Sequence, residues 1–474
     1  MPWVLAATLL GLALRCIGVT STPLNYDEGA TLYFARLPWT DLVGPPARLE
    51  PNPPLFYALA HLATAAFGER EWTLRLPSMI AGVLCIPAAA MLVRGPGQAI
   101  AAFLVATSAV GVLSSQDARA YSGLTLALLI TAAALRTLVG AHQTHRPTAN
   151  PAAWTAFILG SVATLYLHNT AILLLAAVNL AALIATPGLH RGFLRRLVLA
   201  NLLVLAAWAP WLPILLAQLP GGASNAWMGV PNLTTLRYAV LAMLGQPWLS
   251  HPQPWIDAAF LAAAALGVLL ARSRLMVALA LLLLAGIPAA SWAISQTRPI
   301  MNGKTLLPLA PVALVFAAIA CARLGRPGAI LATALIALQL WACREALTNR
   351  PDEAIPAIIA ILDNQAEPGD RIYIARPELE ILLDHYAWPR NRLQPFGPER
   401  QPPWFRHRTI PTGDPNPGSR LWVLTRANPA LHHEIAASLQ PPMLQASDNQ
   451  VGKGRSRLLE LSLFLPPDKA AESR

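Results

Sequence analysis

Residues 2–20, PWVLAATLLGLALRCIGVT, form an apolar run broken only by Arg15, and just beyond it stands Asn25-Tyr26-Asp27-Glu28-Gly29-Ala30. A helix that crosses a bilayer needs about 20 mostly apolar residues, so the run is long enough to span. It has no A-x-A cleavage signal and holds a charge inside it, which reads as a retained span and not a removed signal peptide. Similar runs recur near 76–93, 97–114, 120–140, 152–168, 170–186, 197–217, 254–271, 275–295, 305–322 and 328–345. They predict an all-α membrane protein, a polytopic bundle of about eleven transmembrane helices, followed by a small C-terminal α/β domain. Residues 152–186 are divided here at His168-Asn169; left undivided, they would lower the count.

Composition agrees with this reading. Of the 474 residues 55% are apolar and only 12% charged, a balance that soluble domains do not show. With the amino terminus in the cytoplasm, the connections on that side hold Arg94, Arg136, Arg146, Arg191, Arg195, Arg196, Arg272, Arg274, Arg323 and Arg326, and no acid. The acids from Asp27 to Asp257 fall on the other side. The excess of Arg in short loops fixes the expected orientation, with residues 21–75, 218–253 and the tail outside the cytoplasm. The net charge of +11 is not a nucleic-acid signal, because the tail from Ala346 is balanced at fifteen basic and fifteen acidic residues. The four cysteines show neither a C-x-x-C pair nor metal-ligand spacing.

Two regions follow, 1–345 in the membrane and 346–474 outside it. The loop 21–75 carries amphipathic stretches at Tyr26 to Leu42 and Pro54 to Phe67 that suit short helices at the membrane interface. In the loop 218–253, Trp227 and Trp248 read as interfacial belt residues. In the tail, Asp352 to Asn364, Glu378 to Tyr386 and Pro429 to Leu439 read as helices. Arg371 to Ala375, Leu421 to Thr425 and Arg457 to Leu465 read as strands, and 395–417 reads as a Pro-rich loop.

Asp27 and Glu28 stand in the first turn of an expected helix, where acids complement the helix dipole. They gain chemical interest from the cations on the same side: Arg75, Arg119, Arg237, Arg298 and Lys304, with Arg15 inside the first span. An Arg or Lys at the interface often only snorkels to water. A mid-span Arg normally faces a cavity or a partner. Carboxylates among several cations at one face suit a phosphorylated lipid whose head group reacts there. A departing phosphate needs cations to stabilise its charge and little protonation, whereas an acceptor hydroxyl or amine needs a base. His168-Asn169 reads either as a hydrogen-bonding helix end or as a substrate contact. His142-x-x-His145 and His432-His433 read as solvated. No Gly-rich phosphate loop, H-E-x-x-H or G-x-S-x-G motif is present.

The strings Asn25 to Ala30, Asn52-Pro53-Pro54-Leu55-Phe56-Tyr57 and Leu74-Arg75-Leu76-Pro77-Ser78 resemble the opening of bacterial GT-C glycosyltransferases related to protein O-mannosyltransferases and aminoarabinose transferases. Gln116 to Tyr121, Leu167-His168-Asn169, Trp208 to Pro213 and Lys304 to Pro311 extend the likeness in order over residues 1–345. The resemblance implies a GT-C type bundle that takes sugar from a polyprenyl-phosphate donor and passes it, with inversion, to a lipid, glycan or protein acceptor. Transfer would occur at the periplasmic or extracellular face of a bacterial inner (plasma) membrane. It implies Asp27 as general base, with Glu28 supporting substrate or a divalent metal ion held by Asp27 and Glu28. Arg75, Arg119, Arg298 and Lys304 become phosphate-facing candidates, and Asn52, Tyr57, Tyr121 and His168 further substrate contacts. Two positions depart from the pattern: Asn52 stands where relatives carry His or Lys, and Lys304-Thr305 where they show Arg-Tyr. Lysine keeps the charge but lacks the planar guanidinium fork that grips phosphate in two places.

A transporter or flippase of lipid-linked sugars would use the same cations without a base. Such a protein is expected to show broken helices and charges near the midplane, and often repeated halves, none of which the sequence displays. A noncatalytic membrane scaffold would leave the clustered acids unexplained.

Overall fold

The computed structural model describes residues 2–44, 47, 50, 52–144, 150–186, 191–218, 229–244, 254–349, 355–375, 377–389, 391–395, 419–426, 444–451 and 459–465. The Pro429 to Leu439 helix, the expected 395–417 loop beyond Pro395, which itself ends a strand, and His145, Trp227, Trp248, His432 and His433 lie outside them.

The chain divides into two compact units, residues 1–19 with 38–349, and residues 20–37 with 350–474. Its helices are α1 (Pro2–Cys16), α2 (Tyr26–Arg36), α3 (Trp39–Leu42), α4 (Leu55–Phe67), α5 (Glu71–Ala90), α6 (Gly97–Thr107) and α7 (Ala109–Ser115). Next come α8 (Tyr121–Gln143), α9 (Pro151–Leu167), α10 (Ala171–Ala185), α11 (Arg191–Trp208), α12 (Leu212–Gln218), α13 (Leu233–Leu244) and α14 (Pro254–Leu270). Then follow α15 (Arg274–Ala280), α16 (Ile287–Ser295), α17 (Ala310–Arg323), α18 (Arg326–Thr348), α19 (Ile355–Gln365) and α20 (Pro377–His385).

Every run expected to span is helical. Five stretches are long and apolar enough to cross a membrane: Glu71–Ala90, Tyr121–Gln143, Arg191–Gln218, Arg274–Ser295 and Arg326–Thr348. The pair α6 and α7 makes a sixth if counted as one, and α1, α9, α10, α14 and Leu307–Arg323 are shorter apolar helices. Within Arg274–Ser295 the chain takes a π-helical turn over Leu281–Gly286. There Pro288 has no N–H to return to the preceding turn.

The run 97–114, read as one span, is two helices bent by 57° at Ser108. Ser108 caps α7 by accepting from the Gly111 N–H at 3.2 Å. A break inside an apolar bundle frees backbone groups that need partners. Arg15, fully buried, supplies one by donating to the Ala106 carbonyl at 3.1 Å, and it also donates to Gly11 O at 2.9 Å and Ser115 Oγ at 3.0 Å. The Ala109 N–H is taken by Gln339 Oε1 on α18. Gly11, Gly82 and Gly111 leave the space that the guanidinium fills, since a Cβ on each would come within about 3.2 Å of an Arg15 nitrogen.

At the centre lies α17, buried on every side from Ala310 to Cys321. It meets α14 where Gly267 lies against the Phe316 carbonyl with no room for a side chain. Close backbone approach through small residues is how apolar helices pack where no hydrophobic force drives them together.

In the smaller unit five strands, β1 (Asp370–Ile374), β2 (Leu393–Pro395), β3 (Leu421–Arg426), β4 (Leu444–Val451) and β5 (Leu459–Leu465), form a mixed sheet of order β2-β1-β3-β5-β4. β1 runs parallel to β2 and β3, with Ile374 opposite Leu424; β5 runs antiparallel to β3 and β4. Asp370, 3% exposed, staples the start of β1: it accepts from Arg420 Nε at 2.9 Å and Nη2 at 2.7 Å, Trp422 Nε1 at 2.9 Å and the Glu367 N–H at 3.0 Å. The hydrogen bond to Asp370, with that carboxylate's charge, raises the Arg420 pKa.

Gly267→Ala should lower the thermal midpoint in detergent, at a cost of about 1–3 kcal/mol from overpacking. Gly140→Ala, where nothing lies within 4 Å of the added carbon, should leave it unchanged or raise it. Equal midpoints for the two variants would contradict the packing described.

Candidate active site

Three connections of the larger unit form one pocket, lined by Asn52, Phe56, Tyr57, Arg119, Ala120, Tyr121 and His168. Asn52 precedes α4, whose first turn carries Phe56 and Tyr57. Arg119 and Ala120 lie between α7 and α8, and Tyr121 opens α8. His168 follows α9.

Each connection is pinned by hydrogen bonds. Gln116 Nε2 donates to the carbonyls of Arg15 at 2.8 Å and Ile17 at 2.7 Å, tying the start of the 116–120 loop to the end of α1. Ser78 Oγ donates to Arg119 O at 3.0 Å. Trp211 Nε1 donates to Asn169 Oδ1, Asn169 Nδ2 to Gln218 Oε1, and Gln218 Nε2 to the carbonyls of Ala47 and Glu50. Asn169 is thus a helix-end hydrogen bonder, whereas His168 beside it faces the pocket.

Glu50 was not distinguished from other loop acids in the sequence, and it proves to be the polar hub of the wall. Only 4% exposed, its Oε1 accepts from Tyr57 Oη at 2.7 Å, Asn52 Nδ2 at 2.6 Å and Asn52 N at 3.2 Å. A buried carboxylate needs such donors. This accounts for the neutral Asn52, which satisfies Glu50 while lining the pocket. Burial, reinforced by the Glu50 charge, raises the Tyr57 pKa well above its ordinary value, so the phenol stays a proton donor.

His168 is neutral near physiological pH. Burial, with a smaller effect from the Arg119 charge, pushes its pKa down to about 4. Its Nδ1 accepts the Thr170 N–H at 3.2 Å, so the ring proton sits on Nε2. Lys304 Nζ lies 3.8 Å from Asp117 Oδ2 and 5.8 Å from the centroid of the Tyr121 ring, at the rim of the same cluster. Thr305 Oγ1 accepts the Asn302 N–H and donates to Ile300 O, which closes the turn that carries Lys304.

The remaining expected residues are not among those that line the pocket. Arg75 is fully buried and donates to Val19 O at 2.8 Å, where α1 gives way to the loop; it does not line the pocket. Arg298 is exposed. Asp27 and Glu28 belong to the smaller unit, on α2. There Asn25 caps the helix: its Oδ1 accepts the Glu28 N–H, and Glu28 Oε2 accepts the Asn25 N–H at 2.9 Å and Nδ2 at 3.0 Å. This reciprocal capping box satisfies two orphan donors. Glu28 is fully buried, while Asp27 is half-buried at the second helical position. Among the described residues no three His, Cys, Asp or Glu side chains gather as metal ligands. With Glu28 Oε2 already engaged, the acid pair alone does not make up a metal centre.

The fold defined by this bundle and its appended α/β unit is that of the GT-C membrane glycosyltransferases. The chain is similar to ArnT from Cupriavidus metallidurans in the apo state, at 15% identity over 98% of both chains with a TM-score of 0.57. The same protein bound to undecaprenyl phosphate gives 0.56 over the same coverage. The Archaeoglobus fulgidus oligosaccharyltransferase tethered with an acceptor peptide gives 0.50 at 14% identity, over 87% of this chain and 61% of that one. No family model and no curated protein matches the sequence.

For His168 the folded pKa of about 4 lies below the unfolded value near 6.5, so the unfolded chain binds more protons between those limits. Stability therefore falls as pH drops through that window. The thermal midpoint should decrease from pH 7 to pH 5, and less so in His168→Gln; an equal decrease in both proteins would remove His168 as the cause.

Proposed function

We propose that the chain is an integral membrane glycosyltransferase. It transfers a sugar from a polyprenyl-phosphate donor to an acceptor at the non-cytoplasmic face of a bacterial plasma membrane, with inversion and with Asp27 as general base. The observation that carries this reading is the pocket in which the Arg119 cation stands with the Asn52 amide and the neutral His168 ring, while Tyr57 holds the Glu50 carboxylate in the wall. It lies in a fold shared over 98% of both chains with an ArnT that has been solved with undecaprenyl phosphate. About eleven spans and an Arg-rich cytoplasmic side are part of the proposal.

In this mechanism the acceptor oxygen or nitrogen attacks the anomeric carbon, and the bond from that carbon to the phosphate oxygen breaks. The bonding electrons leave with the phosphate, whose charge Arg119 stabilises, with Lys304 behind it. Asp27 takes the acceptor's proton. A single displacement inverts the anomeric centre. Preorganised donors outside bulk water suit a charge that grows as the phosphate departs. The half-buried Asp27 keeps an ionisable group at a helix start, where a carboxylate is stabilised.

One observation favours the transporter reading: the broken span α6–α7, a feature such proteins use for binding. Its freed Ala106 carbonyl is held by Arg15 and not offered to a ligand, which counts against that use.

Asp27→Asn should slow transfer from a polyprenyl-phosphate sugar by about 100-fold or more with donor KM little changed. A wild-type rate would end the assignment of Asp27. Arg119→Ala should lower kcat/KM for donor by about 10–100-fold, with partial recovery in Arg119→Lys. Undiminished kcat/KM in Arg119→Ala would remove the pocket from the reaction.

A further inference from the structure

The segment that carries Asp27 groups with the tail: residues 20–37 and 350–474 form one unit. Within that unit α2 packs against α20. A hydrogen bond joins the start of α2 to the end of α20. The Leu24 N–H, immediately before the cap residue Asn25, donates to Tyr386 Oη at 2.8 Å. Leu24 is itself 1% exposed, so its N–H has no route to water as a substitute.

Tyr386 is held in place by the way α20 ends. The Tyr386 N–H bonds the Leu382 carbonyl, and Ala387 then turns into the left-handed region at φ 59°, which is costly for a residue with a Cβ. The turn is retained because the Trp388 N–H bonds Leu383 O at 3.1 Å and Trp388 Nε1 bonds Asp384 Oδ1 at 2.8 Å, with the indole 5% exposed. The His385 ring packs edge-on to the phenol at 4.7 Å.

We infer that Tyr386 is a positioning residue for Asp27: the tail's phenol fixes Leu24 and, through the Asn25–Glu28 capping box, the first turn of α2 that presents the carboxylate. The inference rests on the proposed role of Asp27 as base. It assigns the appended domain a part in the transfer step in addition to any part in acceptor choice. A carboxylate displaced by a fraction of an ångström loses rate while donor binding stays intact. Removing the phenol hydroxyl therefore separates kcat from KM.

The test uses full-length Tyr386→Phe beside wild type and Asp27→Asn in lipid nanodiscs, with a polyprenyl-phosphate sugar as donor. Tyr386→Phe should reduce kcat roughly tenfold with donor KM unchanged, and hydrogen exchange in peptides covering residues 22–28 should rise about tenfold, as expected for one lost hydrogen bond. Thermal unfolding should remain cooperative, with a midpoint lowered by no more than a few degrees, which excludes general damage to the tail. Wild-type exchange and kcat in Tyr386→Phe, with Asp27→Asn inactive, would overturn the positioning role and leave the base assignment standing. Faster exchange with full activity in Asp27→Asn would instead overturn the function reading on which the inference rests.

Discussion

A helix break inside an apolar bundle is permitted only if the backbone groups it frees find partners, and in this protein Arg15 meets that constraint. Its guanidinium bonds carbonyls on its own helix and at the end of α6, and through Ser115 it also grips α7. Because α7 is held there, the chain leaves it at Gln116, which is tied to the carbonyls of Arg15 and Ile17. The next residues supply Asp117, Arg119 and Tyr121. A charge inside the first apolar run thereby determines where the pocket's cation stands. Replacing one partner of such a buried polar network leaves the others unsatisfied, which is why its cost exceeds that of any single bond.

The pocket wall repeats the same logic with a carboxylate. Glu50 is buried, so it gathers the Tyr57 hydroxyl and both Asn52 donors, while Gln218 holds its backbone from α12. Asn52, where a cation was expected, fits this hub because an amide can donate to Glu50 without adding charge. The burial that keeps Tyr57 protonated also keeps His168 neutral. The pocket thus sets one guanidinium beside a neutral imidazole and aromatic faces, with the Tyr57 proton and Asn52 donors turned to Glu50.

Much of the architecture was legible in the sequence because apolar runs of spanning length have few alternatives. The helices at 71–90, 121–143, 274–295 and 326–348 lie close to where those runs placed them. The bend at Ser108 was not legible: residues 97–114 are uniformly apolar, and the break depends on Arg15, almost a hundred residues away in the chain. In the tail, Leu421 to Thr425 read as a strand because it is continuously apolar and buried between neighbours. β4 was missed because Gln445, Ser447, Asp448, Asn449 and Gln450 give it the polar composition of a sheet edge. At the site, Arg119, Tyr57, Tyr121, His168 and Asn52 were found by likeness and share one pocket. Glu50 was missed because nothing local distinguishes a hub carboxylate from a solvated one. Arg75 carries a structural hydrogen bond to a backbone carbonyl that no spacing rule could anticipate, whereas the capping role of Glu28 is implicit in the spacing Asn25-x-x-Glu28.

The proposed transfer consumes a polyprenyl-phosphate sugar at this protein and does not merely move it. The most direct measurement reconstitutes the wild-type chain in sealed vesicles with a labelled polyprenyl-phosphate sugar and an envelope extract as the acceptor source. Free polyprenyl phosphate and labelled product are then followed together. The two should appear in equal amounts, with the opposite anomeric configuration in the product. Labelled donor recovered intact on the other leaflet, with no new glycosidic bond, would contradict the proposed transfer.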